Sequence, residues 1–352
     1  MEASPLSVFT SDLVYLDRPF NSEGITTCFS PLECMLLNQR FPTKIASMTA
    51  TASRQIEPTI EQKFRDRTRL LQTNPELLRT KHRVLLGDAR LMSELTDASI
   101  QLVVTSPPYW TLKDYEGAAG EAQLGHLSDY DQFQTQLALV WKRCYDSLVP
   151  GGRLCVVVGD VCLRRRKVGR HLVVPLHADI SVICRKIGFD YLTPILWYKI
   201  ANAATEVEGN GAPFLGKPYE PNAIIKNDVE YILMFRKPGG YRNPTTDQRV
   251  LSLLGKDEHA RWFRAIWQDI PGSNRMRGHP APFPVELAYR LIRMFSFVGD
   301  IVLDPFVGTG TTTEAAILAN RSSLGYEIEA TYHRMARERF AQLNSTAEVA
   351  FE

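Results

Sequence analysis

The 352-residue sequence contains no apolar run of the roughly 18 residues that a membrane-crossing helix needs. Its first residues, Met1-Glu-Ala-Ser-Pro-Leu6, lack the charge-then-apolar order of a secretory signal, so a cytoplasmic location is expected. Cysteine is scarce. Cys28, Cys34, Cys144, Cys155, Cys162 and Cys184 include no Cys-x-x-Cys pair, which argues against a zinc site or a disulfide framework and fits a reducing compartment. No other ligand cluster is visible, so no metal is expected. An excess of one charge is lacking too. With 41 Lys+Arg against 39 Asp+Glu, the formal net charge is +2, and any surface for a polyanion must be local.

What is present is a hydrophobic content of 44%, enough for one large α/β domain with insertions or for two domains. Residues 1–80 read as an extension, with a Thr/Ser/Ala/Gln-rich linker at 44–62 and a charged, helical stretch from Glu61 to Arg83. That extension either packs on or trails from the main domain, or serves as a dimerisation or clamping arm. From Arg83 onward, strand-like and helix-like segments alternate. Strands are expected at 83–87, 100–104, 153–158, 190–200, 228–235, 301–303 and 323–327. Helices are expected at 91–95, 130–148, 177–187, from 284, 314–320 and 332–343, and Val149-Pro-Gly-Gly152 reads as a turn. Such alternation means a mostly parallel sheet with helices on both faces, a Rossmann-like α/β fold. Two irregular blocks, 201–227 and 241–280, interrupt it and are candidates for substrate recognition. The resulting division is 1–80, 81–200, 201–280 (including the strand at 228–236) and 281–345.

Two stretches carry chemistry. Asp304-Pro-Phe-Val-Gly-Thr-Gly-Thr311 lies between an apolar strand and a helix, at the strand end where open α/β sheets bind ligands. Gly308 and Gly310 let backbone pass close to a ligand, and Asp304 can hold an ammonium or a hydroxyl. Alone, such a turn is equally a tight strand–helix connection. The second stretch, Ser106-Pro107-Pro108-Tyr109, follows the strand at 100–104. Its prolines fix the backbone, and Ser106 and the Pro107 carbonyl offer two acceptors beside the flat faces of Tyr109 and Trp110. Two acceptors and a stacking ring match a planar base bearing an amino group; the alternative is a simple Pro-Pro turn over core aromatics.

Together these residues carry a resemblance. The chain, over roughly 83–343, resembles the S-adenosylmethionine-dependent DNA amino-methyltransferases of the permuted β group, in which a Ser/Asp-Pro-Pro-Tyr/Trp motif comes first and an Asp-Pro-Phe-x-Gly-x-Gly motif late. Gly325-Tyr-Glu327 and His279-Pro-Ala-Pro-Phe-Pro284 also sit where that family has similar segments. The resemblance implies a seven-stranded, circularly permuted methyltransferase sheet with a reversed strand at 228–235 and an inserted target-recognition region. The 81–200 part would be the catalytic half and 281–345 the cofactor half. Thr105-Ser-Pro-Pro-Tyr-Trp110 implies an N4-cytosine enzyme. Asp in the first place is usual for N6-adenine enzymes, which are the alternative, and RNA or protein-amide methyltransferases are a more distant one. A silent DNA-recognition subunit or a dehydrogenase fits the two intact motifs poorly.

The implied reaction is direct in-line transfer of a methyl group from S-adenosylmethionine to the N4 amino group of a cytosine flipped out of double-stranded DNA. Ser106, Pro107, Pro108 and Tyr109 are the implied catalytic residues. Asp304, Pro305, Phe306, Gly308, Thr309, Gly310 and Thr311 would hold the methionine end of the cofactor, and Glu327 its ribose. Asp88 would accept from the adenine amino group or else cap the helix that follows. The basic run Arg164, Arg165, Arg166, Lys167 and Arg170 would contact phosphates or form a solvated loop. Arg242, Arg261, Arg275 and Arg277 are among the donors for base edges. Trp197-Tyr-Lys199 would line the base pocket, unless Trp197 is core. DNA is the implied partner, which would place the protein at a bacterial-type nucleoid; the resemblance also allows a homodimer and a cognate restriction endonuclease.

Overall fold

The computed structural model describes residues 69–70, 78–110, 123–163, 165–170, 172–199, 227–272, 283–342 and 347–352. Strands form on the apolar runs. They are β1 (Lys81–Leu86), β2 (Ile100–Thr105), β3 (Leu148–Val158), β4 (Val161–Leu163), β5 (Leu172–Val174), β6 (Asp190–Tyr198), β7 (Val229–Arg236), β8 (Ile266–Trp267), β9 (Ile301–Asp304), β10 (Ser322–Glu327) and β11 (Glu348–Phe351). The helices are α1 (Tyr130–Ser147), α2 (Arg165–Val168), α3 (Leu176–Ile187), α4 (Thr246–Leu251), α5 (Lys256–Trp262), α6 (Val285–Phe295), α7 (Thr311–Leu318) and α8 (Ala330–Gln342).

Among the described residues the main sheet has the order β11-β1-β10-β9-β2-β3-β7-β6-β8. β7 is antiparallel to β3 and β6, and the other pairings are parallel. The inner seven strands, from β1 to β6 in sheet order, are the expected sheet, and β7 is its reversed strand. β11 and β8 add one short strand at each edge. β4 and β5 form a separate hairpin.

Period-two alternation sends successive residues to opposite faces, so each face has its own core. Val103, Val156, Val158, Leu233 and Phe235 face α1 and α3, through Phe133, Leu137, Trp141, Ile180 and Cys184. Leu102, Val104, Val157, Ile232 and Met234 face α6 and α7, through Leu287, Leu291, Ala315 and Ala316. α1 begins where Asp129 accepts from the Gln132 N–H (2.7 Å), and α3 ends at Gly188 with φ +123°.

Three local expectations are corrected. Leu91–Leu95 is a pair of turns, because Met92 at φ +39° leaves the helical region between the turn closed by Leu91 N–H on Asp88 O and that closed by Leu95 N–H on Met92 O. Val149–Gly152 belongs to a bulged start of β3: Ile100 pairs with Leu148 but Leu102 with Arg153, and Lys237 exchanges backbone bonds with Gly151 and Gly152 (2.9 Å each). Up to residue 272, the block read as irregular from 241 holds α4, α5 and β8. Trp262 and Trp267 there are buried beside Arg290, whose guanidinium lies 5.8 and 5.5 Å from their ring centroids and bonds Asp269 and Glu286. That part of the block is therefore packed against α6.

β1, β10, β9, β2 and β3 are parallel, so their carboxyl ends share one edge of the sheet. At that edge Gly310 (φ +88°) opens α7, and a Cβ added to it would overlap the Phe340 ring of α8. Gly310→Ala is expected to destabilise the protein by about 2–4 kcal/mol in urea unfolding, from left-handed strain and overpacking together. Adding Phe340→Leu should recover only the packing part.

Candidate active site

The loop between β9 and α7 is tied down from inside. The buried Asp304 carboxylate accepts from Thr105 Oγ1 of β2 (2.6 Å), Thr312 Oγ1 of α7 (2.6 Å) and the Phe306 N–H (3.0 Å). Burial still pushes its carboxyl up to about 6, because three donors only partly replace water. At the end of β10, Glu327 Oε2 accepts from the Gly308 N–H (2.8 Å) and Oε1 from the Glu329 N–H (2.9 Å). Burial is again the largest cause, and Glu327 is pushed up to about 7. Two backbone bonds join these loops further: Val307 N–H to Tyr326 O (3.0 Å) and Gly87 N–H to Glu327 O (2.8 Å).

These loops wall an open cleft. Of the residues expected at a site, Asp88, Ser106, Pro107, Pro108, Tyr109, Pro305, Phe306, Gly308 and Glu327 line it. Asp304, Thr309, Gly310 and Thr311 do not line it; they are buried behind it and build the turn into α7. Asp88 faces the cleft and also caps a turn. Its carboxylate accepts from the Arg90 N–H (2.8 Å) and pairs with the Arg90 guanidinium (2.5 Å).

Sequence reasoning missed Gln123 and Glu329, which also line the cleft and bond each other through Gln123 Nε2 and Glu329 Oε2 (3.0 Å). Glu329 is 1% exposed. Its one signal was its place two residues beyond Glu327, and Gln123 had none. Gly87, Ala89, Leu124, Gly125, Tyr326, Ile328 and Tyr332 complete the missed walls.

Within the Ser-Pro-Pro-Tyr turn, Ser106 Oγ donates to Tyr109 Oη, which donates to Val157 O, both at a long 3.4 Å. Trp110 next to it has φ +44°, a costly conformation for a bulky residue, and its ring meets Tyr130 edge-on at 5.1 Å. Tyr109 packs beside Gly159 at the end of β3.

Other expected contacts fall elsewhere. Trp197 is core and donates to Ile270 O (2.8 Å). Arg242 is held by Asp300 through two bonds of 2.5 Å, which corrects its reading as a donor for base edges. Arg166 and Arg170 are exposed between β4 and β5. Arg164, Arg275 and Arg277 lie outside the described residues, as do the side chains of Arg165 and Lys167.

The cleft therefore offers acceptors. Buried carboxylates stand at one end, a serine hydroxyl and the proline-rich turn at the other, with aromatic rings between. That suits a ligand rich in hydroxyl, amino or cationic groups and not a pyrophosphate. Residues 100–338 match the family model for DNA methylase of the N6/N4 type. This chain belongs to that DNA methylase family. It is 38% identical over 285 residues to the type II methyltransferase M.MjaI of Methanocaldococcus jannaschii, covering 74% of this chain and 91% of that one. A putative DNA modification methylase of Thermus thermophilus, solved in complex with S-adenosyl-L-methionine, is 51% identical, with a TM-score of 0.64 over 77% of this chain and 97% of that one. The cytosine-N4-specific PvuII DNA methyltransferase shares the fold at 21% identity, with a TM-score of 0.55 over 76% of this chain and 89% of that one.

The raised carboxyls give the methylase a pH signature. Glu327 prefers to be protonated in the fold, so the stability it lends is full below its ordinary range and is lost as pH rises through about 7. Buried His82, lowered to about 4, acts in the opposite direction but only below about pH 6.5. Between about pH 6.5 and 8 the ligand-free protein is therefore expected to lose somewhat under ~1 kcal/mol, or ~2 °C in Tm. Glu327→Gln should flatten that slope; an equal slope in the variant rules out Glu327 as its source.

Proposed function

We propose that this DNA methylase transfers a methyl group from S-adenosylmethionine to the N4 amino group of a cytosine flipped out of double-stranded DNA. The observation that carries the reading is one cleft walled by both Ser106–Tyr109 and the Phe306–Gly308 loop with Glu327. S-adenosylmethionine fits its chemistry. Each Glu327 oxygen accepts one backbone N–H and keeps capacity for a ribose hydroxyl. Gly87 and Gly308 bare the backbone, and Phe306, Tyr326 and Tyr332 offer apolar faces. When bound, the cofactor supplies an electrophilic methyl group on a sulfonium.

The protein's part is orientation. Ser106 Oγ and the Pro107 carbonyl accept from the base amino group and hold its nitrogen lone pair out of conjugation, aimed along the cleft. Tyr109 stacks on the flipped ring, a contact worth about 1–3 kcal/mol that offsets part of the unstacking cost. Asp304 supports the methionine-side loop from behind, and Asp88 accepts from the adenine amino group. Arg166 and Arg170, with their neighbours in the basic run, contact phosphates. In this reading the chain is a permuted methyltransferase with 81–200 as catalytic half and 281–345 as cofactor half. The type II relative supports a modification role beside a restriction endonuclease. Serine in the first place of the motif supports cytosine; adenine N6 is the second reading.

Expression in a host free of N4-methylcytosine, followed by nucleoside mass spectrometry of its DNA, is expected to reveal that base. N6-methyladenine alone would sink the cytosine reading. Ser106→Ala should lower kcat by at least about 10²-fold while S-adenosylmethionine affinity stays within about two-fold. A loss of cofactor affinity instead would place Ser106 on the cofactor side.

A further inference from the structure

A half-buried ion pair at the same sheet edge has no part in the reaction above. Lys199 follows β6, Glu230 lies near the start of β7, and their side chains, 23% and 10% exposed, pair directly. Lys199 is fixed from two further sides. Its backbone N–H donates to Asp228 O (2.9 Å), and its Nζ lies 5.2 Å from the Trp197 ring centroid.

The topology sets where the pair sits. β6 and β3 both run antiparallel to β7, so the end of β6, the start of β7 and the end of β3 share the edge that carries Ser106. The order β2-β3-β7-β6 lays out Ser106–Tyr109, Gly159, Glu230 and Lys199 in a row. Gly159 is the joint. A Cβ added to it would lie 3.4 Å from Tyr109 Cε2, 3.4 Å from Glu230 Oε1 and 3.2 Å from Glu230 Cγ. The Glu230 carboxylate therefore flanks the same residue as the Tyr109 ring, on the side away from Glu327.

An ion pair withdrawn from water is weak support for stability, since apolar residues of similar volume do as well. Its position beside the stacking ring calls for a chemical role. We infer that Lys199 and Glu230 form the far wall of the target-base pocket and select cytosine over adenine. The inference rests on the base-methylation reading above. Beside its amino group cytosine carries two acceptors, N3 and O2, whereas adenine carries N1 and then a C–H. The ammonium of Lys199 donates to the cytosine pair and finds only one partner on adenine. An unpaired ammonium would oppose the positive charge that the base acquires as the N–CH₃ bond forms and the S–CH₃ bond breaks. Glu230 keeps the wall neutral, so selection does not slow transfer.

The test uses the full chain and duplexes carrying its mapped recognition site, with cytosine or adenine at the target. Lys199→Met is expected to raise KM for the cytosine duplex and to lower the cytosine-to-adenine ratio of kcat/KM, each by about ten-fold or more. Glu230→Gln should lower kcat more than it changes KM. Lys199→Met/Glu230→Met removes both charges, guards against misfolding, and should keep S-adenosylmethionine affinity by calorimetry while losing discrimination. Unchanged KM and an unchanged ratio in Lys199→Met and in the double variant would overturn the inference. A wild-type protein that makes no N4-methylcytosine would instead overturn the parent reading.

Discussion

The Asp304 carboxylate is the constraint on which the site depends. It joins three elements, accepting from Thr105 on β2, Thr312 on α7 and its own loop at Phe306. Thr105 is the residue immediately before Ser106. One hydrogen bond between residues 199 apart in sequence therefore fixes the Ser-Pro-Pro-Tyr turn relative to the glycine loop. The arrangement is not free, because a carboxylate removed from water is poorly compensated by two hydroxyls and one amide. Its upward shift to about 6 records that deficit. An acid at this place is thus explained by what it organises and not by direct presentation to the cleft.

Sheet topology does the remaining positioning. β2 and β9 are neighbours, although their motifs stand far apart in the chain, and β10 and β1 extend the row on one side. Since all four are parallel, four loops from distant segments meet at one edge, and each contributes one wall. On the other side the reversed β7 lets the start of one strand and the end of another reach the same edge. The two halves of that edge thus differ in character. Glu327 and Glu329 lie toward β10, and the Lys199–Glu230 pair toward β6.

Much of this was legible in the sequence, and the failures have physical reasons. The seven inner strands announce themselves because burial on both faces demands near-continuous apolar runs such as Ile100–Val104. The α6 helix was equally plain, with Leu287, Leu291 and Ile292 on one face. β8 and β11 were missed because strands of two and four residues at a sheet edge carry too few residues for a period. α4 and α5 were missed for a similar reason, and the many charges around Trp262 and Trp267 disguised a packed region. Arg290 makes the point: a charge on a helix face reads as exposed, but it is buried because Asp269 and Glu286 pair with it in space. Gln123 and Glu329 could be found only once folding had brought β10 beside the loop that precedes α1.

The same limit applies to charge. A formal balance of +2 suggests a neutral surface, yet the fold sorts its charges. Carboxylates gather at the cleft, and burial raises the proton affinity of Glu327 in its wall and of Asp304 behind it. Arg166 and Arg170 stand exposed on the hairpin that springs from the end of β3, next to the Gly159 joint. A cationic cofactor and a polyanionic substrate ask for opposite fields from one enzyme. In the proposed reading the acids serve the cofactor and the hairpin arginines the phosphates, and water screens the exposed arginines from the cleft beyond about 10 Å.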